Sequence, residues 1–393
     1  MVHPCVITVG PVQCLPSMEE TPSKSIGIKE IAAAAGISIG TVDRALHNRA
    51  GVNPKTRNRV LKIAEKLGYR PNVAARTLKL NRRLRIAAHL PRQIESFFDP
   101  LRDGIREAAA SLQSVTVDLS IRTYPHLGEG DVELLEEDVE KEFDGILITP
   151  GNPIHLEPVI RRFTDRGTAV VCVASDAPRS SRLASISADA AISGGLAAEL
   201  LGTVLHCEGP VAIITGDLTT FDHGEKLRGF AATLATMAPH LTLMPAIESH
   251  ESPREAYRAT LELLQRKTKP IGIYINTANS VPVLRAIEEN KMWGRVRLVT
   301  TDLFSELVPL IESGKILATL YQRPFTQGKL AFETLCRYLV EGIQPEPITR
   351  LAPHIILRSN LPLFLERLPE TLDMNNGTEG SGSDSGQSRL RSK

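Results

Sequence analysis

The sequence predicts an α/β protein in two parts: a basic three-helix head with a short conditional fourth helix, then a doubly wound, two-lobed body. Three observations carry that prediction. Apolar residues recur at helical spacing from Ile28 to Leu67, punctuated by Gly36, Asn53 and Gly68. Beyond Leu84, apolar runs alternate with amphipathic segments. The charge is lopsided. Over 393 residues, 46 Lys+Arg against 45 Asp+Glu leave +1, yet residues 25–83 hold 13 Lys+Arg against 3 acidic residues. That window carries +10 and the remainder −9, so one small module is built to meet a polyanion.

The head follows element by element. Ile28, Ile31, Ala32 and Ala35 fall at i, i+3, i+4 and i+7, and Gly36 closes the segment as a helix C-terminal glycine does. Ser38 is a natural N-cap for a second helix through His47, with Val42, Ala45 and Leu46 inward and Gly40, Thr41 and Arg44 outward. A third helix opens with Asn53 as cap and Pro54 in first position, buries Val60, Ile63, Ala64 and Leu67, and stops at Gly68. The pattern is a helix-turn-helix head. In the YRPN segment Pro71 disfavours helix at Arg70, and Asn72 caps a short helix to about Lys79. At roughly eight residues that hinge helix is too short to hold alone in water and forms only against a partner.

In the body, LRIAAHL is followed by a helical stripe of Leu101, Ile105, Ala108 and Leu112, then by alternating Val115, Val117, Leu119 and Ile121. DGILITP, TAVVCVAS, PVAIITGD, PIGIYINT and VRLVTTD continue the rhythm as buried parallel strands. So long a stretch exceeds one sheet, which predicts two lobes with a ligand cleft at the carboxyl ends of the strands. The expected division is a disordered leader at 1–24, the head at 25–70, hinge helix and linker at 71–83, the sensor body at 84–366 and a disordered tail at 367–393. Within the body, lobe 1 is expected at about 84–188 and 323–348, and lobe 2 at about 189–322 and 349–366.

Composition narrows the function. With 42% hydrophobic and 23% charged residues, a collagen-like repeat or a largely disordered chain is disfavoured. No apolar run reaches membrane-spanning length, and the opening segment lacks a basic n-region and is broken by Pro4, Pro11 and Pro16, so neither a membrane span nor an export signal is visible. Five cysteines, odd in number and without CxxC spacing, fit a reducing cytoplasm.

Residues 28–79, IKEIAAAAGISIGTVDRALHNRAGVNPKTRNRVLKIAEKLGYRPNVAARTLK, resemble the DNA-binding head of LacI-type (LacI/GalR family) transcriptional regulators. The body resembles their type I periplasmic-binding-protein-like sensor domain. The AGxSxxTVxRxL core, the Val-x-Pro-x-Thr-Arg segment and the YxPN hinge all stand at family spacing. The resemblance implies that Ile39, Gly40 and Arg44 lie at base edges, with Ser38, Thr41 and Asn53 on phosphates, and that Arg44 can read guanine bidentately. In the hinge, capped by Asn72, it implies Leu78 as a wedge in a central base step and Ala75 facing the minor groove; the alternative for Leu78 is hydrophobic filler. Departures stand at Asp43, where Ser is common, at His47, where Asn is common, and at Gly27, where Thr usually caps the first helix. The operator is therefore not copied from relatives.

For the cleft, the resemblance points to Phe97, Phe98 and Asp99, to Asp176, to the DHGEKLRGF segment with His223, Lys226 and Arg228, to Asn276 and Asn279, and to Asp302 and Gln322. Carboxylates accepting from paired hydroxyls, amide and cationic donors, and an aromatic cover suit a sugar or polyol. Lys226 replaces a typical Arg, and Asp176 and Asp302 have the alternative of strand-end caps. The implied protein is a homodimer on a pseudo-palindromic double-stranded DNA operator, answering a small sugar-like effector, with no catalytic residue, metal or cofactor.

An α/β enzyme and a solute-binding protein with a vestigial head are the alternatives. No GxGxxG or GxxxxGK[ST] occurs, the histidines lack HExxH spacing, and the one GxSxG string, residues 36–40, lies between two helices instead of at a strand-to-helix elbow. A transported-solute receptor would need an export signal and no basic head.

Overall fold

The computed structural model describes residues 28–46, 51–67, 83–113 and 115–365. They form two separate compact bodies, head and sensor. The head holds α1 (Ile28–Ala35), α2 (Ile39–Leu46) and α3 (Pro54–Lys66). Gly36 ends α1 with φ +64°, a conformation that costs glycine nothing. Ser38 Oγ then accepts the Thr41 N–H at 3.2 Å, and Asn53 Oδ1 accepts the Lys55 N–H at 2.8 Å, so each following helix starts on a side-chain cap. Ile31, Ala32, Ala35, Val42, Ala45, Val60 and Ala64 are buried apolar residues of the head. Four of those seven are alanines, which lets three short helices approach closely around little volume.

The sensor's first lobe runs through β1 (Arg83–Pro91), α4 (Glu95–Ser111), β2 (Thr116–Tyr124), α5 (Asp131–Asp138), β3 (Gly145–Ile148), α6 (Pro153–Asp165), β4 (Ala169–Val173) and β5 (Ala184–Ala188). The second holds α7 (Ala190–Val204), β6 (Gly209–Thr215), α8 (Phe221–Met237), β7 (Leu241–Leu243), β8 (Ile247–Glu248), α9 (Pro253–Gln265), β9 (Gly272–Ile275), α10 (Val281–Glu289), β10 (Arg297–Thr301), α11 (Val308–Glu312) and β11 (Ala318–Tyr321). The chain returns through α12 (Pro324–Glu341) and β12 (Ile348–Leu351) to the first lobe, then ends with β13 (His354–Ile356) and α13 (Pro362–Leu365).

The first sheet has the order β12-β5-β4-β3-β1-β2 and the second β13-β11-β10-β9-β6-β7, with β8 beside β6. All pairings are parallel except β11 with β13. Each lobe reverses strand order beside its first strand, and that reversal opens a crevice at the carboxyl strand ends. One expected boundary is corrected. Ile348 pairs with Ser185 and Leu351 with Ala188, so β12 belongs to the first lobe and the last crossing lies at 351–354, not at 348–349. The segment ITRLAPHII reads as one extended run interrupted by Pro353, and nothing in it tells which half joins which sheet.

Glycines set the helix spacing. A Cβ on Gly104 would lie 2.0 Å from the Phe325 carbonyl oxygen, and one on Gly328 2.1 Å from that of Leu101, so α4 and α12 touch backbone to backbone. In the other lobe Gly194 and Gly229 do the same for α7 and α8, a Cβ on Gly194 falling 1.9 Å from the carbonyl oxygen of Lys226.

Candidate functional site

In the head, the first turn of α2 is the exposed edge. Ile39 is 50% exposed, Ser38, Gly40 and Arg44 are exposed, and Thr41 is half-buried. Nothing stands within 4 Å of where a Gly40 side chain would begin, so a flat surface can approach the backbone there. Asn53 is exposed at the start of α3, whose Lys55, Arg59, Lys62 and Lys66 are exposed as well. The helix thus offers an apolar side chain, a bare backbone and a guanidinium toward solvent with cations alongside. Asn72, Ala75 and Leu78, together with Gly27 and His47, lie outside the described residues.

In the sensor, side chains from both lobes converge on a cleft of about 410 Å³ at the carboxyl strand ends. Phe97 and Phe98 come from α4 after β1, their rings edge to face at 5.0 Å. Thr149 follows β3 and Ser175 follows β4. Across from them stand Asp222, His223 and Lys226 on α8, Glu251 after β8, Asn276 and Thr277 after β9, Asp302 after β10 and Gln322 after β11.

Lys226, 1% exposed, organises the charges. Its Nζ donates to Asp222 Oδ2 at 2.9 Å and to the Asn276 carbonyl at 3.5 Å. Burial would lower the ammonium's pKa, but Asp222, joined by Tyr274 and Asp302, more than offsets it and the net shift is upward. Asp222 is held below the usual carboxylate range: burial raises it, and the charge and hydrogen bond of Lys226, together with His223, outweigh that. Glu251 moves the other way, pushed up by burial even though Thr277 Oγ1 donates to both its oxygens at 3.0 and 2.8 Å. Burial also pushes Asp302 up to about 6, against the Gln322 backbone N–H at 3.0 Å and its Nε2 at 2.7 Å. Asp302 has φ +64°, which aspartate tolerates, and this turns its carboxylate onto Gln322. Gln327 Nε2 fixes that glutamine in turn by donating to its carbonyl at 2.7 Å.

The cleft therefore holds one ammonium against three carboxylates. It also holds buried polar atoms without a hydrogen-bond partner among the described residues: Thr149 Oγ1 and Ser175 Oγ from one lobe, Asn276 Oδ1 from the other. Buried polar atoms left unpaired are costly, so three of them in one crevice make it the candidate place for a polar ligand.

Of the residues expected here, Phe97, Phe98, His223, Lys226, Asn276, Asp302 and Gln322 come together. Four do not line the cleft. Asp99 is half exposed and pairs with Arg102 at 2.6 Å. Asp176 is buried against Arg182, whose Nη2 donates to it at 2.7 Å and whose Nε holds its other oxygen. Arg228 faces solvent and pairs with Glu225 at 2.5 Å. Asn279 turns its amide to the Glu251 carbonyl at 3.2 Å, supporting the loop instead of facing the ligand space. Glu251, Thr149 and Ser175 line the cleft without having been singled out, and so do Asp222, inside the DHGEKLRGF segment, and Thr277, between Asn276 and Asn279, neither named by itself. Asp222 had a signal, four residues before Lys226 on one helix face. Glu251 had none: it lies against Gly216, where a Cβ would stand 1.9 Å from its Oε1, a contact between distant segments.

Comparison with known proteins follows this geometry. The lacI family of bacterial regulatory proteins matches residues 27–72, and the periplasmic binding protein domain matches residues 86–343. The chain belongs to the LacI family. The transcriptional repressor PurR of Vibrio parahaemolyticus is 23% identical over 338 residues, covering 85% of this LacI-family chain and 98% of PurR. Catabolite control protein A of Priestia megaterium is 24% identical over 256 residues, 64% of this chain and 74% of that protein. Among solved structures, a solute-binding protein of Burkholderia graminis in complex with D-arabinose superposes with TM-score 0.65 at 24% identity, over 71% of this chain and 96% of its own. One from Agrobacterium vitis, bound to α-D-tagatopyranose, gives 0.66 at 18%, over 71% and 96%. These share the sensor's fold. The chain is a DNA-binding transcriptional regulator whose sensor has the sugar-binding-protein architecture, and among the described residues no helix is long and apolar enough to cross a membrane.

Proposed function

We propose that this protein is a cytoplasmic, homodimeric repressor that reads a pseudo-palindromic operator and answers a small polyhydroxylated effector carrying no negative charge. The observation that carries the effector class is the convergence of Thr149, Ser175 and Asn276, each with an unpaired buried atom, on a cleft that Phe97 and Phe98 also line. Hydroxyls can donate to and accept from such atoms, and an aromatic ring covers a sugar's apolar face. A phosphate ester would meet Asp222, Glu251 and Asp302 with only Lys226 to offset them, and Lys226 already serves Asp222.

Ile39, Gly40 and Arg44 carry base recognition, Ser38, Thr41 and Asn53 phosphate contacts, and the hinge residues Asn72, Ala75 and Leu78 the minor groove. The symmetry of a dimer motivates the palindrome. An enzymatic role finds no support in the GxSxG string, because Ser38 is spent on capping α2, with its Oγ 2.8 Å from Thr41 Oγ1. The switch is differential binding: an effector preferring one lobe arrangement changes the affinity of the dimer for its operator.

The test is selection of duplexes bound by the full-length protein from a random library, followed by titration of the enriched operator complex with neutral pentoses, hexoses and cyclitols and their phosphate esters. An enriched palindrome released by a neutral sugar, with Asn276→Ala unresponsive, is the expected result. Release by phosphate esters alone would overturn the effector class, and enrichment of a non-palindromic site would overturn the dimer.

A further inference from the structure

A second, larger cavity of about 1120 Å³ lies beside the effector cleft, with His126, Glu129 and His155 on the first-lobe wall and Asp217, His250 and Glu251 on the second. Asp217 and His250 on its second-lobe wall, with Glu248 beside them, each offer one ligand atom, all within 4.8 Å of one another. Their placement follows from the fold: β6 and β8 run in parallel, Thr215 beside Glu248, so the residues just past both strand ends meet. The backbone then turns through His250 and Glu251 with φ +47° and +52°, left-handed at two consecutive non-glycine residues.

Among the described residues no lysine or arginine pairs with either carboxylate. Asp217 Oδ1 accepts from the Thr219 N–H and hydroxyl at 2.7 and 2.6 Å, which leaves Oδ2 facing His250 Nδ1 at 3.4 Å. Glu248 uses Oε2 for the Leu218 N–H at 2.8 Å. Two ligands held at about 2.1 Å from a tetrahedral ion stand roughly 3.4 Å from each other, the spacing of the Asp217–His250 pair.

We propose that Asp217, Glu248 and His250 bind a divalent transition-metal ion of the zinc class. One imidazole nitrogen with two carboxylate oxygens suits zinc, whereas magnesium and calcium favour all-oxygen shells. Three protein ligands leave positions open toward the cavity that His126 and His155 line from the other lobe. The ion is coupled to the cleft because His250 directly precedes Glu251, whose side chain borders both cavities. Fixing His250 fixes the point from which Glu251 enters the cleft, so ion and effector change each other's affinity by the same factor. The ion site itself does not depend on what the effector is.

The experiment titrates metal-stripped, full-length protein with Zn²⁺ by calorimetry and with Co²⁺ by visible absorption, beside His250→Ala and Asp217→Asn. Circular dichroism and melting without metal establish that the variants are folded, and Asp217→Asn, which keeps the side chain's shape, serves should His250→Ala fail to fold. Because other histidines and the exposed Cys207 also take zinc, the difference between proteins is decisive. The wild type is expected to bind one more equivalent than either variant, with affinity at that site reduced on the order of a hundredfold or more by each substitution. The extra Co²⁺ should absorb without a thiolate charge-transfer band. Equal stoichiometry and affinity in all three proteins, or a thiolate band as the only signal, overturns the site.

Discussion

Asp302 shows how a single carboxylate can report on the closed interior of the sensor. Its pKa is raised by burial to about 6 from an ordinary value of 3.8. Between those values the folded state holds a proton that the unfolded chain has released, so stability falls as pH rises through this window and is level above it. Two pKa units correspond to about 3 kcal/mol. Asp302→Asn removes the titration, so its stability relative to wild type should rise by up to that amount between about pH 4 and pH 6, read from denaturant unfolding of both proteins. The offset between them at low pH measures the Gln322 bonds that an amide repeats only in part. A pH-independent difference would show that Asp302 does not titrate there. In the head, Arg44→Ala should cost about 1–3 kcal/mol of operator affinity and relax preference at one base pair, checked by repeating the duplex selection. Uniform weakening at every position would make Arg44 a phosphate contact.

Helix packing makes its own prediction, because the α7–α8 contact positions Lys226. Gly194→Ala drives a methyl into the Lys226 carbonyl, and backbone cannot step aside as a flexible side chain can. Gly195→Ala meets only Thr233 Oγ1 at 2.9 Å. The first substitution should lower stability by about 1–3 kcal/mol or more and weaken effector binding, whereas the second should do little of either. Equal effects would mean that the helices slide apart freely. The same elements show what the sequence discloses. Buried parallel strands such as DGILITP and PVAIITGD are legible because both their faces are apolar, and caps such as Ser38 and Asn53 because the chemistry is local. Asp176 and Asp302 look alike in sequence, each at a strand end. Only folding brings Arg182 onto the first and Gln322 onto the second. Glu251 depends on a left-handed loop lying against Gly216, a relation between distant segments that no local pattern announces. The short β12 and β13 are ambiguous for the same reason, since their partners lie far away in sequence.

For the whole molecule, operator binding must combine a large unspecific attraction with a smaller specific one. The +10 of residues 25–83 supplies the first, so affinity should fall with salt at a log–log slope of about −0.9 per phosphate neutralised. On the proposed reading, Leu78 contributes to the second. A leucine that wedges open a base step incurs an unstacking cost, recovered only where the bent duplex fits the dimer. On random DNA there is no such recovery, and a hinge helix as short as the sequence predicts would have nothing to form against. Leu78→Ala should therefore lower specific affinity by about one to two orders of magnitude, the scale of a mismatched base pair, while nonspecific affinity stays as it was. Since leucine neutralises no phosphate, the salt slope of both modes should be unchanged. Fluorescence anisotropy on operator and scrambled duplexes across a salt series separates the cases. Equal loss on both duplexes would make Leu78 part of the hinge's packing instead of its reading of DNA.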